Sequence, residues 1–133
     1  VHGNQIATQA TLWDTVSRAV VDFFDDLKEH DAAEEVVMLV FTEFGRRVRD
    51  NGNGTDHGSG GGAFLIGERI KGGMYADYPS LAPEKQLSGD LQAGHDFRSL
   101  YATVLDQWVG VNPDPIVNGH FDQFDGLLRP LAA

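Results

Sequence analysis

The sequence predicts an α/β fold with a mostly parallel central sheet flanked by helices, of which this chain holds a part. Three observations lead there. Residues from about Ala10 to His30 carry apolar side chains at helical spacing, Val36 to Phe41 is an unbroken apolar run, and Gly45 to Gly62 turns abruptly to glycine and polar residues. A long helix followed by a buried strand is the alternation from which parallel sheets are built.

In the first segment Leu12, Val16, Val20, Phe23 and Leu27 recur at steps of four, four, three and four, which lines one face of a helix. Asp22, Asp25, Asp26 and Glu29 fall mostly off that face. The run Val36-Val37-Met38-Leu39-Val40-Phe41 is too short for a helix buried all round, and its valines favour a strand covered on both faces. The stretch from Asn51 to Gly62 holds so much glycine that no regular element is expected in it. Ala63 to Ile70 reads as a second strand, closed by Gly72-Gly73. Tyr75 to Gly94 is irregular, with Pro79 and Pro83. Phe97, Tyr101, Val104 and Trp108 mark a second helix over Phe97 to Val109, with Asp96 as N-cap and Gly110 just past its end. Asn112-Pro113-Asp114-Pro115 breaks the chain, and no internal repeat is visible.

The 133 residues suit one domain, 1–133, with 41% hydrophobic and 23% charged residues, which is ordinary globular usage. Twenty acidic against 10 basic residues give a formal net charge of −10. Such a surface repels phosphate backbones and anionic membrane faces, so neither nucleic acid nor membrane is an expected partner. It also suits a protein that concentrates cations. There is no cysteine, so a metal would sit among imidazole and oxygen donors, and zinc, manganese, magnesium or calcium is expected rather than copper(I) or iron–sulfur. No apolar stretch approaches the roughly 20 residues that cross a bilayer. Val1-His2-Gly3-Asn4-Gln5 has no signal architecture and no initiator Met, so a fragment or processed form is expected.

Three constellations can carry chemistry. Glu43, in Thr42-Glu43-Phe44-Gly45-Arg46, emerges where a parallel strand ends, the usual place for ligands in open α/β sheets; it is a metal ligand or base, or it is merely paired with Arg46 or Arg47. Asp56-His57 lies in the glycine-rich stretch, where a sharp turn would let both side chains serve one cation, or where the pair is incidental. His2 sits near a chain end beside Asn4 and Gln5. His30, at a helix C-terminus, is explained by the helix dipole alone, and His95 and His120 have no motif around them. Arg46, with Arg47 and Arg49, is a candidate grip for an anion, against simple pairing with carboxylates. Phosphate-loop, dinucleotide-fingerprint and nucleophile-elbow patterns are all missing. Asn51 to Asp56 is like a single turn of a calcium-binding β-roll, an architecture that needs several stacked copies.

Taken in order, His2-Gly3-Asn4-Gln5, a long helix, Val36 to Arg47, Asn51 to Gly58, Gly72 to Tyr75 and Asp96 to Trp108 resemble the bacterial family called domain of unknown function fifteen-oh-one. That family is related to the alkaline phosphatase and sulfatase superfamily. The resemblance covers nearly the whole chain. It implies an alkaline-phosphatase/sulfatase-like sheet with helices on its faces and metals at its C-terminal edge. It also implies a metal-dependent hydrolase of phosphate or sulfate esters acting on a small anionic substrate, and an exported, periplasmic protein. The superfamily's Asp-His pair after a buried strand is matched by Glu43-Phe44, whose second residue cannot ligate, while His57 resembles the later-loop His. The superfamily's Ser or Thr nucleophile belongs to a segment this chain does not hold. The expected metal ligands are therefore His2, Glu43, Asp56 and His57, and self-association is expected of a partial sheet with an open edge. A non-catalytic metal-binding or assembly module, or a truncated fragment, is the alternative.

Overall fold

The computed structural model describes residues 1–129. They form two compact units, one of Val1–Glu68 with Pro79–Gln92 and one of Arg69–Tyr78 with the chain from Ala93 onward.

The first unit begins with helix α1, Gln5–Glu29, which starts earlier than its apolar periodicity suggests. Its entry is held by Asn4, whose carbonyl accepts from the Thr8 amide at 3.1 Å and the Thr8 hydroxyl at 2.8 Å. Its exit is a Schellman turn: the Ala32 amide reaches the Leu27 carbonyl at 2.9 Å and the Asp31 amide the Lys28 carbonyl at 3.1 Å. Asp31 takes the left-handed position at φ 55°, where glycine is usual. The predicted apolar stripe is not the buried face: of its residues Val20 and Leu27 are half-buried, and the helix residue that becomes buried is Phe24, outside the stripe. Leu12 and Val16 stay 51% and 44% exposed, and Trp13 meets Phe64 edge-on with ring centroids 5.7 Å apart.

The expected parallel central sheet is not what forms. Strand β1, Met38–Val40, pairs antiparallel with β4, Phe64–Ile66, in the register Met38↔Ile66, Leu39↔Leu65 and Val40↔Phe64. Strands β2, Gly45–Asp50, and β3, Thr55–Gly58, make a second antiparallel pair. Both sheets have two strands, and no parallel pairing occurs among the described residues. Hence Val36 to Phe41 is not a strand buried on both faces: three of its residues are strand, each half-buried. An apolar run reports that a strand is covered, and says nothing about the direction of its neighbour. The second strand expected over Ala63 to Ile70 is likewise confined to Phe64–Ile66.

The glycine-rich stretch corrects the reading in the opposite direction. Asn51-Gly52-Asn53-Gly54 is the turn of the β2–β3 hairpin rather than the start of a structureless loop. Asn51 Oδ1 accepts from the Asn53 amide at 3.0 Å and the Gly54 amide at 2.8 Å, and the Asn51 amide donates to the Gly54 carbonyl at 2.9 Å. Gly52 sits at φ 96°, which only glycine takes without strain. Asn-Gly pairs make such turns because the Asn side chain imitates a backbone acceptor.

In the second unit Asp96 caps α2, Phe97–Val104, by accepting from the Arg98 amide at 2.9 Å. The helix widens into a π-helical turn, Leu105–Val109, and stops at Gly110 in the left-handed conformation, as the sequence predicts for its end. Thr103, 1% exposed, donates to the Ser99 carbonyl at 2.7 Å and accepts from the Phe124 amide at 2.9 Å. Its hydroxyl is thus fully used in a small core with Ala102, Val117 and Leu127. A short helix α3, Asp114–Val117, follows. No helix among the described residues is long and apolar enough to cross a membrane.

Candidate functional site

The N-terminal segment is stitched to the β2–β3 hairpin by backbone as well as side chains. The Thr55 amide donates to the Val1 carbonyl at 3.2 Å, and the Gln5 amide to the Asn53 carbonyl at 3.1 Å. Asn53 Oδ1 accepts from the Asn4 amide at 2.8 Å, and the Thr55 hydroxyl donates to Gln5 Oε1 at 2.9 Å. These bonds span about fifty residues of chain and deliver His2 to the edge of β3.

There His2 meets both residues of the Asp56-His57 pair. His2 Nδ1 lies 3.2 Å from Asp56 Oδ1, and His2 Nε2 lies 2.9 Å from His57 Nε2. The two rings stand 4.5 Å apart between centroids. Asn51 supports the arrangement from below: its Nδ2 donates to Asp56 Oδ1 at 2.9 Å and to the His2 carbonyl at 3.1 Å. The Asn51 amide group, and then His2, hold the Asp56 carboxyl below its usual range. A carboxylate that is the acceptor of two donors stays ionised.

His57 is shaped from its other side by Phe44, whose ring stacks on the imidazole at 3.6 Å between centroids and 22° between planes. The loss of water on that face depresses the His57 pKa, with His2, when it is protonated, and Arg46 adding to the effect and Glu43 and Asp56 opposing it. Arg46 pairs across the strands with His57, and its guanidinium carbon is 5.4 Å from the Phe44 centroid. Its Nη1 is committed to the Thr55 carbonyl at 2.8 Å, so part of the expected anion grip serves the hairpin instead. Arg47 turns to Asp90 and the Ser88 carbonyl.

Of the four expected ligands, the fold therefore brings together His2, Asp56 and His57. Glu43 is near enough for its charge to act on His57, but its Oε2 makes its contact with the Thr42 hydroxyl, at 3.4 Å. Among the described residues, no group of three or more His, Cys, Asp or Glu side chains gathers so as to hold a metal ion. The remaining histidines have local partners: His30 its own helix carbonyl at Asp26, His95 the Phe124 ring, and His120 Asp114. Asn51 and Phe44 were not singled out from the sequence. The doubled Asn-Gly was a signal for Asn51; nothing local marks Phe44, which acts across the hairpin.

The family model described as Protein of unknown function (DUF1501) matches residues 1–127. No curated protein and no solved structure matches the chain.

Proposed function

The chain belongs to the DUF1501 family, and we propose that it supplies a divalent-cation site for the hydrolysis of phosphate or sulfate esters, with His2 and His57 as nitrogen ligands. One observation carries this reading: two imidazole Nε2 atoms face each other at 2.9 Å while the other nitrogen of His2 is engaged by a carboxylate. With Nδ1–H of His2 donating to Asp56, Nε2 of His2 bears a lone pair. A lone pair aimed at a second nitrogen needs something positive between them, either the His57 proton or a cation.

The spacing is near that of a metal-bound pair. Two nitrogens each about 2.1 Å from a tetrahedral zinc stand about 3.4 Å apart, so the rings would part by about half an ångström to admit the ion. Nitrogen donors favour zinc over the harder magnesium, calcium and manganese. Asp56 then has the role of orienting the His2 ring, the usual second partner of a metal-bound imidazole, rather than of a direct ligand. Water and an ester oxygen would complete the coordination of a bound ion. A cation bound there would lower the pKa of its water and stabilise charge on the leaving oxygen. The neighbouring Arg46 adds positive charge for an anionic substrate.

A non-catalytic metal-binding module is the second reading, favoured by the lack of a third gathered ligand among the described residues. Assays with an aryl phosphate and an aryl sulfate, before and after chelation and after metal return, separate the two. Metal-dependent turnover that disappears in His57→Ala supports hydrolysis. Metal binding without turnover supports the module, and turnover indifferent to both metal and His57→Ala defeats the hydrolase reading.

A further inference from the structure

We infer that Phe44 is a positioning residue for His57, holding the imidazole plane so that Nε2 aims at His2; the inference rests on the reading of His57 as a ligand. The ring pair at 3.6 Å and 22° is a close, nearly parallel contact over one whole face of the imidazole. His57 is otherwise an exposed residue of a four-residue strand, touching the His2 ring at its edge. A side chain in that position samples several rotamers, and each departure carries Nε2 away from its partner.

Backbone geometry explains why Phe44 can do this. Gly45 follows it at the start of β2, opposite Gly58, and a Cβ on Gly45 would come within 1.5 Å of the Gly60 carbonyl oxygen. The bare glycine pair lets the chain pass close by, so the aromatic side chain just before the strand reaches over His57. Arg46, across the strands from His57, brings its guanidinium to the Phe44 ring as well. The ring restrains the tilt of the imidazole, and the contact with His2 selects which edge points inward. An aliphatic residue of similar bulk would fill the space without imposing a plane.

The test uses the full chain and cobalt(II) as probe ion, read by titration calorimetry and by the visible absorption of the bound ion. Phe44→Leu retains bulk and lacks a planar face; Phe44→Tyr retains both. The expected result is a 10- to 100-fold weaker cobalt affinity in Phe44→Leu, the range seen when outer partners of metal ligands are removed, with Phe44→Tyr close to wild type. Metal-free protein supplies a second measure, the nuclear Overhauser contact between the His2 and His57 ring protons. That contact should fade in Phe44→Leu and persist in Phe44→Tyr. If Phe44→Leu binds cobalt like wild type while His57→Ala does not, the positioning role is wrong and the ligand reading stands. If His57→Ala leaves binding unchanged, the ligand reading is wrong, and the ring-proton contact alone decides the role of Phe44. A contact that survives in Phe44→Leu overturns it.

Discussion

Gly54 lies directly against Val1: a Cβ on Gly54 would come within 2.4 Å of the Val1 carbonyl oxygen and 2.9 Å of the His2 carbonyl carbon. The absence of one side chain thus lets the N-terminal segment dock on the hairpin and places His2 beside His57. Gly54→Ala should push that segment away at a cost of about 1–3 kcal/mol, the usual range for forcing an extra carbon into a packed place. The check is a thermal unfolding midpoint together with the His2–His57 ring-proton contact. A variant that keeps both would show that the segment docks some other way.

Metal content should follow the nitrogen pair. Protein purified without chelator is expected to retain zinc, and His2→Ala and His57→Ala are each expected to lose it. Glu43→Ala should retain it, because Glu43 contacts Thr42 rather than the imidazoles. Elemental analysis of the three variants decides, and an ion lost in Glu43→Ala alone would move the site.

Asp56→Asn keeps the size of the side chain and removes the charge that faces His2 Nδ1. The ring of His2 then loses its fixed orientation, and affinity for cobalt(II) should fall about 10- to 100-fold without abolition. Complete loss would instead mark Asp56 as a direct ligand. Calorimetric titration distinguishes the two.

Helix α2 should carry its own pH dependence. The Arg98 side chain, and then the Arg98 amide, hold the Asp96 carboxyl down at about 2, from an ordinary 3.8. A depressed carboxyl contributes stability that is fully present above its unfolded value and is lost as pH falls through its folded one. Fraying of α2 is therefore expected as pH drops from about 4 to about 2. Amide exchange over residues 97–104 reads it. Asp96→Asn should flatten the dependence in that window, and an unchanged profile would separate the cap from helix stability.

Self-association is expected through α1. Leu12, Trp13, Val16 and Phe23 leave 40–51% of their surfaces exposed on one helix face. With Phe64, whose ring meets Trp13, that face offers an apolar patch of the kind that a second copy covers. Sedimentation over a range of concentrations should show dimer, and Leu12→Glu with Val16→Glu should shift it to monomer. A wild-type monomer at high concentration would leave the face for a different partner.

What the sequence by itself determined was local. The four-four-three-four stripe from Leu12 to Leu27 set α1, and Asp96 and Gly110 set the ends of the second helix, because caps and periodicity act within a turn or two of chain. The lack of cysteine likewise restricted any metal to nitrogen and oxygen donors. Tertiary structure alone decided the rest. Strand direction depends on which segment returns alongside Met38–Val40, and Phe64–Ile66 returns antiparallel after a hairpin that the glycine content seemed to forbid. His2, Asp56 and His57 stood out as residue types, but the choice of Asp56 as partner to His2 and the stacking of Phe44 on His57 are consequences of chain crossing. Contacts between residues about fifty positions apart are set by loop closure and close backbone approach, here at Gly54 and Gly45, and a periodic pattern carries no record of either.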